Sequence, residues 1–117
     1  MKNGDICNVN LDGKGTEQTG PHPAIVLKVL PRVDLAIVIP LTSNLQVLER
    51  YPLTAIIKAT SQNGLKTDSV AQLFQIKACH LSRFPISRGG DIFIIGSLSE
   101  ADKKIINDLI RSELQFS

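Results

Sequence analysis

Short runs of apolar or alternating residues fill most of the chain, and a helical period replaces them only near its C-terminus. Residues 6–11 alternate apolar and polar side chains, which is typical of a half-buried strand. Further runs typical of strands cover residues 24–29, 35–41, 53–59, 69–77 and 92–95, with polar turn segments between them. The pattern therefore predicts several short antiparallel strands and disfavours a parallel α/β fold.

Local signals refine three of these strands. Pro40 lies near the end of the run 35–41, which indicates an edge position or a strand terminus because proline cannot donate to a ladder. Asn63 and Gly64 predict a hairpin between 53–59 and 69–77, since this dipeptide tolerates positive φ. Asp68 is expected to cap that hairpin. Strict alternation within 69–77 places four side chains on one face: Val70, Gln72, Phe74 and Ile76.

The C-terminal segment has the pattern of one amphipathic helix. Ser99 is a suitable N-cap, and acidic residues follow it in the first turn, where they suit the helix dipole. An apolar stripe at helical spacing follows, formed by Ile105, Ile106, Leu109, Ile110 and Leu114. The predicted fold is mainly β (α+β): a small, strongly bent antiparallel sheet or barrel closed by this helix.

Composition predicts one ordinary globular domain spanning residues 1–117. The chain is 43% hydrophobic and 21% charged, and no apolar run approaches the roughly 20 residues of a membrane span. The N-terminus turns polar at once and shows no signal segment, so a cytoplasmic location without membrane contact is expected. Cys7 and Cys79 fit no metal-ligand spacing, and Cys7 is expected to be a buried free thiol.

Charge and aromatic content do not by themselves indicate a nucleic-acid partner. The formal net charge is only +2, without a concentrated basic segment. With no Trp, one Tyr and four Phe, the composition predicts no aromatic platform on which exposed bases stack. The polar segment 13–23, rich in Gly and Pro, is the stronger candidate, because binding and chemistry concentrate in loops held by rigid strands.

Four segments, in this order and spacing, resemble the MazF/PemK family of bacterial toxins. They are residues 4–27, which include GTEQ at 15–18; VIPLTS at 38–43; GLKTDSV at 64–70, with Gln75 and Arg83 beyond it; and LS at 98–99 with the helix. The resemblance implies an SH3-like barrel that forms a homodimer, with single-stranded RNA along the dimer groove and a cognate antitoxin as partner. It also implies an endoribonuclease that needs neither a metal nor another cofactor.

The implied chemistry is attack of a ribose 2′-hydroxyl on its own phosphate, which leaves a cyclic phosphate and a 5′-hydroxyl. Such a step needs a base, an acid and hydrogen-bond donors for the phosphate oxygens. The resemblance implies three catalytic residues, Glu17, Thr42 and the residue at His22, and three RNA-binding residues, Gln18, Gln75 and Arg83. The purely structural alternatives are a turn hydrogen bond for Thr42 and a solvated loop for Glu17 and Gln18.

Two positions depart from the family pattern. His22 stands where the family has arginine, and histidine is charged only part of the time near neutrality, although it is a good proton shuttle. Phe74 stands where the family often has an acid. The alternative function is therefore a non-catalytic module that binds RNA, or one that binds protein as gyrase-poisoning toxins of this fold do. His80 is expected to be a surface residue, and only the presence of two histidines in the chain suggests that it forms an acid–base pair with His22.

Overall fold

A computed structural model describes residues 1–11 and 20–116 as one antiparallel sheet with a C-terminal helix. The strands are β1 Asp5–Leu11, β2 Gly20–Leu30, β3 Leu35–Thr42, β4 Thr54–Ile57, β5 Ser69–Gln72, β6 Lys77–His80 and β7 Ile94–Ser97. The helices are α1 Val47–Arg50 and α2 Glu100–Glu113. The strand order is β4-β5-β3-β2-β1-β7, with β6 also paired to β3, which confirms the mainly β class.

β2 begins earlier than predicted, so His22 lies in a strand rather than in a loop. Pro21 and Pro23 pair with Asn10 and Asn8 of β1, and His22 between them pairs with Val9. Alternate residues of an antiparallel pair direct their backbone groups away from the partner. Pro21 and Pro23 are two residues apart, so both fit such positions, where the ladder with β1 needs no N–H. This is why a segment rich in proline still extends β2.

The prediction of one strand over residues 69–77 is wrong. The segment forms β5, a 3-10 turn Leu73–Gln75 and then β6. β5 pairs with the end of β3 at Leu41 and Thr42, whereas β6 pairs with its beginning, from Leu35 to Val38. One edge of β3 thus takes two partners in succession, and the chain makes a turn to pass between the two pairings. β3 is consequently a central strand, and Pro40 lies neither in an edge strand nor at the end of β3; it is the last residue of β3 that pairs with β2.

β4 and β5 pair antiparallel, which confirms the predicted hairpin, and residues 58–68 form the folded connection between them. Asn63 is buried; its Oδ1 accepts the N–H groups of Thr60 and Leu65, and its Nδ2 donates to the carbonyl oxygen of Lys58. Gly64 has the expected positive φ, +68°. The cap at Asp68 is confirmed, since its Oδ1 accepts the N–H of Ala59 at 2.8 Å. The N–H of Ser97 donates to the carbonyl oxygen of Gln62, which holds this connection against β7.

Smaller differences concern element boundaries and one helix face. The predicted strand 92–95 is observed two residues later as β7, and α1 was not predicted. α2 starts as expected, with the Ser99 hydroxyl oxygen accepting the N–H of Asp102. Ile106 is buried in one cluster with Ile57 and Leu98. Ile105 and Leu114 are 48% and 40% exposed, so the prediction that these two belong to the buried stripe is wrong. No helix in residues 1–11 and 20–116 has both the length and the apolar character of a membrane span.

Cys7 is the buried free thiol that the sequence predicts. Its side chain is fully buried in β1 among apolar neighbours that include Val9 and Val26. Burial, with a smaller contribution from the neighbouring Asp5 carboxylate, raises the pKa of this thiol to about 11. Because the thiolate is the reactive form, Cys7 is a packing residue and not a nucleophile.

Candidate functional site

A pocket of about 660 Å³ opens where β2 and β3 separate. His22 and Pro23 of β2 lie on one side of it, and Leu41 and Thr42 of β3 lie on another. Residues 64–67, between β4 and β5, and Phe93, just before β7, also line the pocket. The volume lies within the range of small-molecule and cofactor sites. The structure therefore brings two of the predicted catalytic residues, His22 and Thr42, to one cavity.

Pro23 explains why the sheet opens at this point. β2 pairs with β3 from Leu30 back to Ala24, which stands opposite Pro40. The next pair would join Pro23 to Leu41, but Pro23 has no N–H with which to continue the ladder. The two strands therefore part, and the side chains that follow on each strand line the opening.

His22 is held in a restricted backbone. It is half-buried, it pairs with Val9, and the flanking Pro21 and Pro23 limit the conformations of its backbone. Its imidazole has no hydrogen-bond partner among the described residues. A backbone restricted in this way loses little conformational entropy when the residue binds a ligand.

Thr42 is the half-buried last residue of β3. Its Oγ1 accepts the N–H of Asn44 at 3.2 Å, which is the turn hydrogen bond expected if Thr42 has a purely structural role. A hydroxyl has one donor and two acceptor positions, so this contact leaves the O–H free to donate into the pocket. This hydrogen bond thus orients the hydroxyl group and leaves its O–H free to donate.

The pocket also contains residues that the sequence analysis missed. Lys66 is exposed, and its amine has no partner among the described residues, while Phe93 is 53% exposed. Hydrogen-bonding side chains add to the wall: Asn8, Ser43 and Thr67. None of the described lining residues is acidic. Lys66 belongs to the segment GLKTDSV, whose resemblance to the family was a signal for it. No local signal identified Phe93, because the run 92–95 has the pattern of an ordinary strand.

The other predicted site residues do not line this pocket, or fall outside the described part of the chain. Glu17 and Gln18 fall outside it. Gln75 is 8% exposed, and its Nε2 donates to Oε1 of Gln72 at 3.3 Å. Arg83 donates from Nη1 to the carbonyl oxygen of Asn10 at 3.4 Å. Phe74, the second departure from the family pattern, stacks on Tyr51 with ring centroids 4.6 Å apart.

His80 lies at the opposite end of β3 from the pocket. It pairs with Leu35, seven residues from Thr42, and these residues span about 23 Å at the usual rise of a strand. It is exposed as expected, and its Nδ1 accepts the N–H of Ser82 in the following 3-10 turn. Within one chain, His80 is therefore too remote to act with His22.

Comparison with known proteins identifies the family. Residues 2–114 match the family model described as the PemK-like, MazF-like toxin of type II toxin–antitoxin systems. No curated protein sequence matches the chain. The crystal structure of a MazE–MazF complex (Form-II) from Deinococcus radiodurans is similar in fold, with a TM-score of 0.58 and 16% identity over 95% of this chain and 89% of that one. The chain belongs to the PemK-like, MazF-like toxin family of type II toxin–antitoxin systems.

Proposed function

We propose that this toxin is a metal-independent endoribonuclease that cleaves single-stranded RNA. The observation that carries the proposal is the presence of His22 and Thr42 on one pocket, where Lys66 adds a positive charge and no described lining residue is acidic. An imidazole, a hydroxyl donor and an ammonium group together suit a phosphodiester, which is anionic and accepts hydrogen bonds through several oxygens.

In the proposed reaction a solvent water takes the proton of the 2′-hydroxyl, whose oxygen attacks the neighbouring phosphorus while the bond from phosphorus to the 5′-oxygen breaks. His22 donates a proton to the leaving 5′-oxygen, and Thr42 donates a hydrogen bond to a non-bridging oxygen. We assign to Glu17 the role of favouring the protonated imidazole. Gln18 and Arg83 are proposed as RNA contacts. For Gln75, the buried amide favours a structural role over the RNA contact that the resemblance implies.

Incubation of the purified protein with a long single-stranded RNA in EDTA tests this proposal. We expect fragments that end in a 2′,3′-cyclic phosphate on one side and a 5′-hydroxyl on the other, with no loss of rate when EDTA is added. A Thr42→Val preparation purified in parallel controls for contaminating nucleases and should be much slower. Intact RNA at micromolar protein would contradict the proposal, and binding without cleavage would establish the non-catalytic alternative.

We further propose that the toxin acts as a homodimer and that an antitoxin occupies its RNA-binding groove. The related Deinococcus radiodurans protein was crystallised in a MazE–MazF complex, and a disordered acidic segment could order on a groove that carries His22 and Lys66. The mass in solution should be near twice 12.8 kDa, and antitoxin and RNA should weaken each other's binding. A stable monomer at micromolar concentration would contradict the dimer, and simultaneous binding without mutual weakening would contradict the shared groove.

A further inference from the structure

We propose that Phe93 and Lys66 form a nucleotide subsite beside His22 and Thr42. In this subsite the Phe93 ring stacks on one base of the RNA, and the Lys66 ammonium group binds an adjacent phosphate. The inference deepens the proposed function and rests on it for the identity of the ligand. It concerns binding and positioning of the RNA, so its test does not depend on cleavage.

Phe93 combines an exposed ring with a fixed backbone. Its side chain is 53% exposed at the pocket, whereas its N–H donates to the carbonyl oxygen of Pro85 at 3.1 Å. On one side Ile92 forms a bridge with Ile86, and on the other side β7 begins at Ile94. A base that stacks on this ring therefore binds a surface that is ordered beforehand, which reduces the entropy cost of binding.

The sheet places this ring at a suitable distance from His22. β1 lies between β2 and β7, with Asn8 opposite Pro23 and Cys7 opposite Ile94. The end of β7 next to Phe93 is thus two strand spacings, about 10 Å, from β2. One or two nucleotides of extended RNA can bridge this separation, with the scissile phosphate at His22 and a neighbouring base at Phe93.

Lys66 supplies a charge that His22 cannot supply permanently. The connection that carries it is anchored by the buried Asn63, and it packs so closely on β7 that a Cβ at Gly64 would lie 2.3 Å from the carbonyl oxygen of Ile95. The amine is exposed and has no partner among the described residues. A lysine binds phosphate as a point charge, and it stays charged at the pH at which histidine titrates. Lys66 therefore takes over part of the role of the family's arginine.

A 12-nucleotide 2′-O-methyl RNA of mixed sequence, labelled with a fluorophore, is the probe, because it has no free 2′-hydroxyl and resists the proposed cleavage. Its affinity is measured by anisotropy at several salt concentrations. Phe93→Leu should weaken binding about 5- to 150-fold, the usual effect of losing one stacked base. Phe93→Tyr keeps the ring and should bind like the wild type. Phe116→Leu, a matched change at an exposed aromatic outside the pocket, should have no effect.

Lys66→Gln should lower the slope of log affinity against log salt by about 0.7, the value for one phosphate contact on a single strand. Lys58→Gln, at an exposed lysine of the same connection that does not line the pocket, should leave the slope unchanged. Wild-type affinity in both Phe93→Leu and Lys66→Gln would overturn the subsite, even if the protein cleaves RNA. Conversely, the expected losses in a protein that leaves ordinary RNA intact would support the subsite and contradict the nuclease.

Discussion

Replacement of His22 with alanine is expected to slow RNA cleavage about 10²–10⁴-fold, the usual contribution of one general acid or base. His22 lines the pocket together with Thr42, and its strand is fixed by pairing with β1 and by Pro21 and Pro23. Within one chain the other histidine cannot replace it, because His80 is at the far end of β3. The measurement is the initial rate of fragment formation from one defined RNA, with thermal unfolding as the control for folding.

The variant His22→Arg separates two roles for this position. Arginine is always charged and binds a phosphate through two parallel donors, but it does not give up a proton near neutral pH. A large loss of rate would support proton transfer by histidine. A gain would show that charge and bidentate contact matter more, and that the natural protein is a weakened nuclease. If the wild-type protein, His22→Ala and His22→Arg all leave the RNA intact, the proposed catalytic role of His22 is wrong.

The same role predicts the direction of the pH dependence. A general acid must carry its proton at the start of the step, so the rate should fall as pH rises through the range in which histidine loses its charge. The His22→Arg protein should lack this fall, because its guanidinium stays protonated. An identical decline in both proteins would assign it to another group.

Replacement of Gly96 with alanine is expected to destabilise the protein by about 1–3 kcal/mol and to abolish cleavage with it. A Cβ at this position in β7 would lie 2.4 Å from both the carbonyl carbon and the carbonyl oxygen of Asn63. These are backbone atoms of the connection 58–68, so they cannot turn away as the end of a long side chain would. The connection must move off β7, and the wall of the pocket at 64–67 must move with it.

Gly89→Ala is the matched control for Gly96→Ala, because the nearest atom to a Cβ there is the Ser87 hydroxyl oxygen at 4.0 Å. Urea unfolding gives the stability of each variant, and the RNA assay gives its activity. We expect wild-type behaviour from Gly89→Ala in both. Wild-type stability in Gly96→Ala would show that the connection does not pack on β7 as the structure has it.

The sequence alone determined those features that depend on local periodicity and end signals. The alternation in β1, the apolar runs of β2 and β3, and the Ser99 cap of α2 each reflect neighbours within a few positions. The burial of Cys7 followed from the same alternation. Even here local reasoning failed at Ile105, because a helical stripe wider than the surface beneath it leaves one edge exposed.

Only the tertiary structure decided how residues 69–77 divide, since the break arises from β3 offering one edge to two strands in succession. Tertiary structure also decided the pocket. Its walls come from positions as distant as His22, Lys66 and Phe93, and the opening depends on Pro23 meeting Leu41 without an N–H to donate. The periodicity of the sequence predicts which face of the sheet a side chain occupies, but it does not predict which strand is the neighbour. The pairing and register of the strands therefore bring together a pocket whose residues come from several distant segments of the chain.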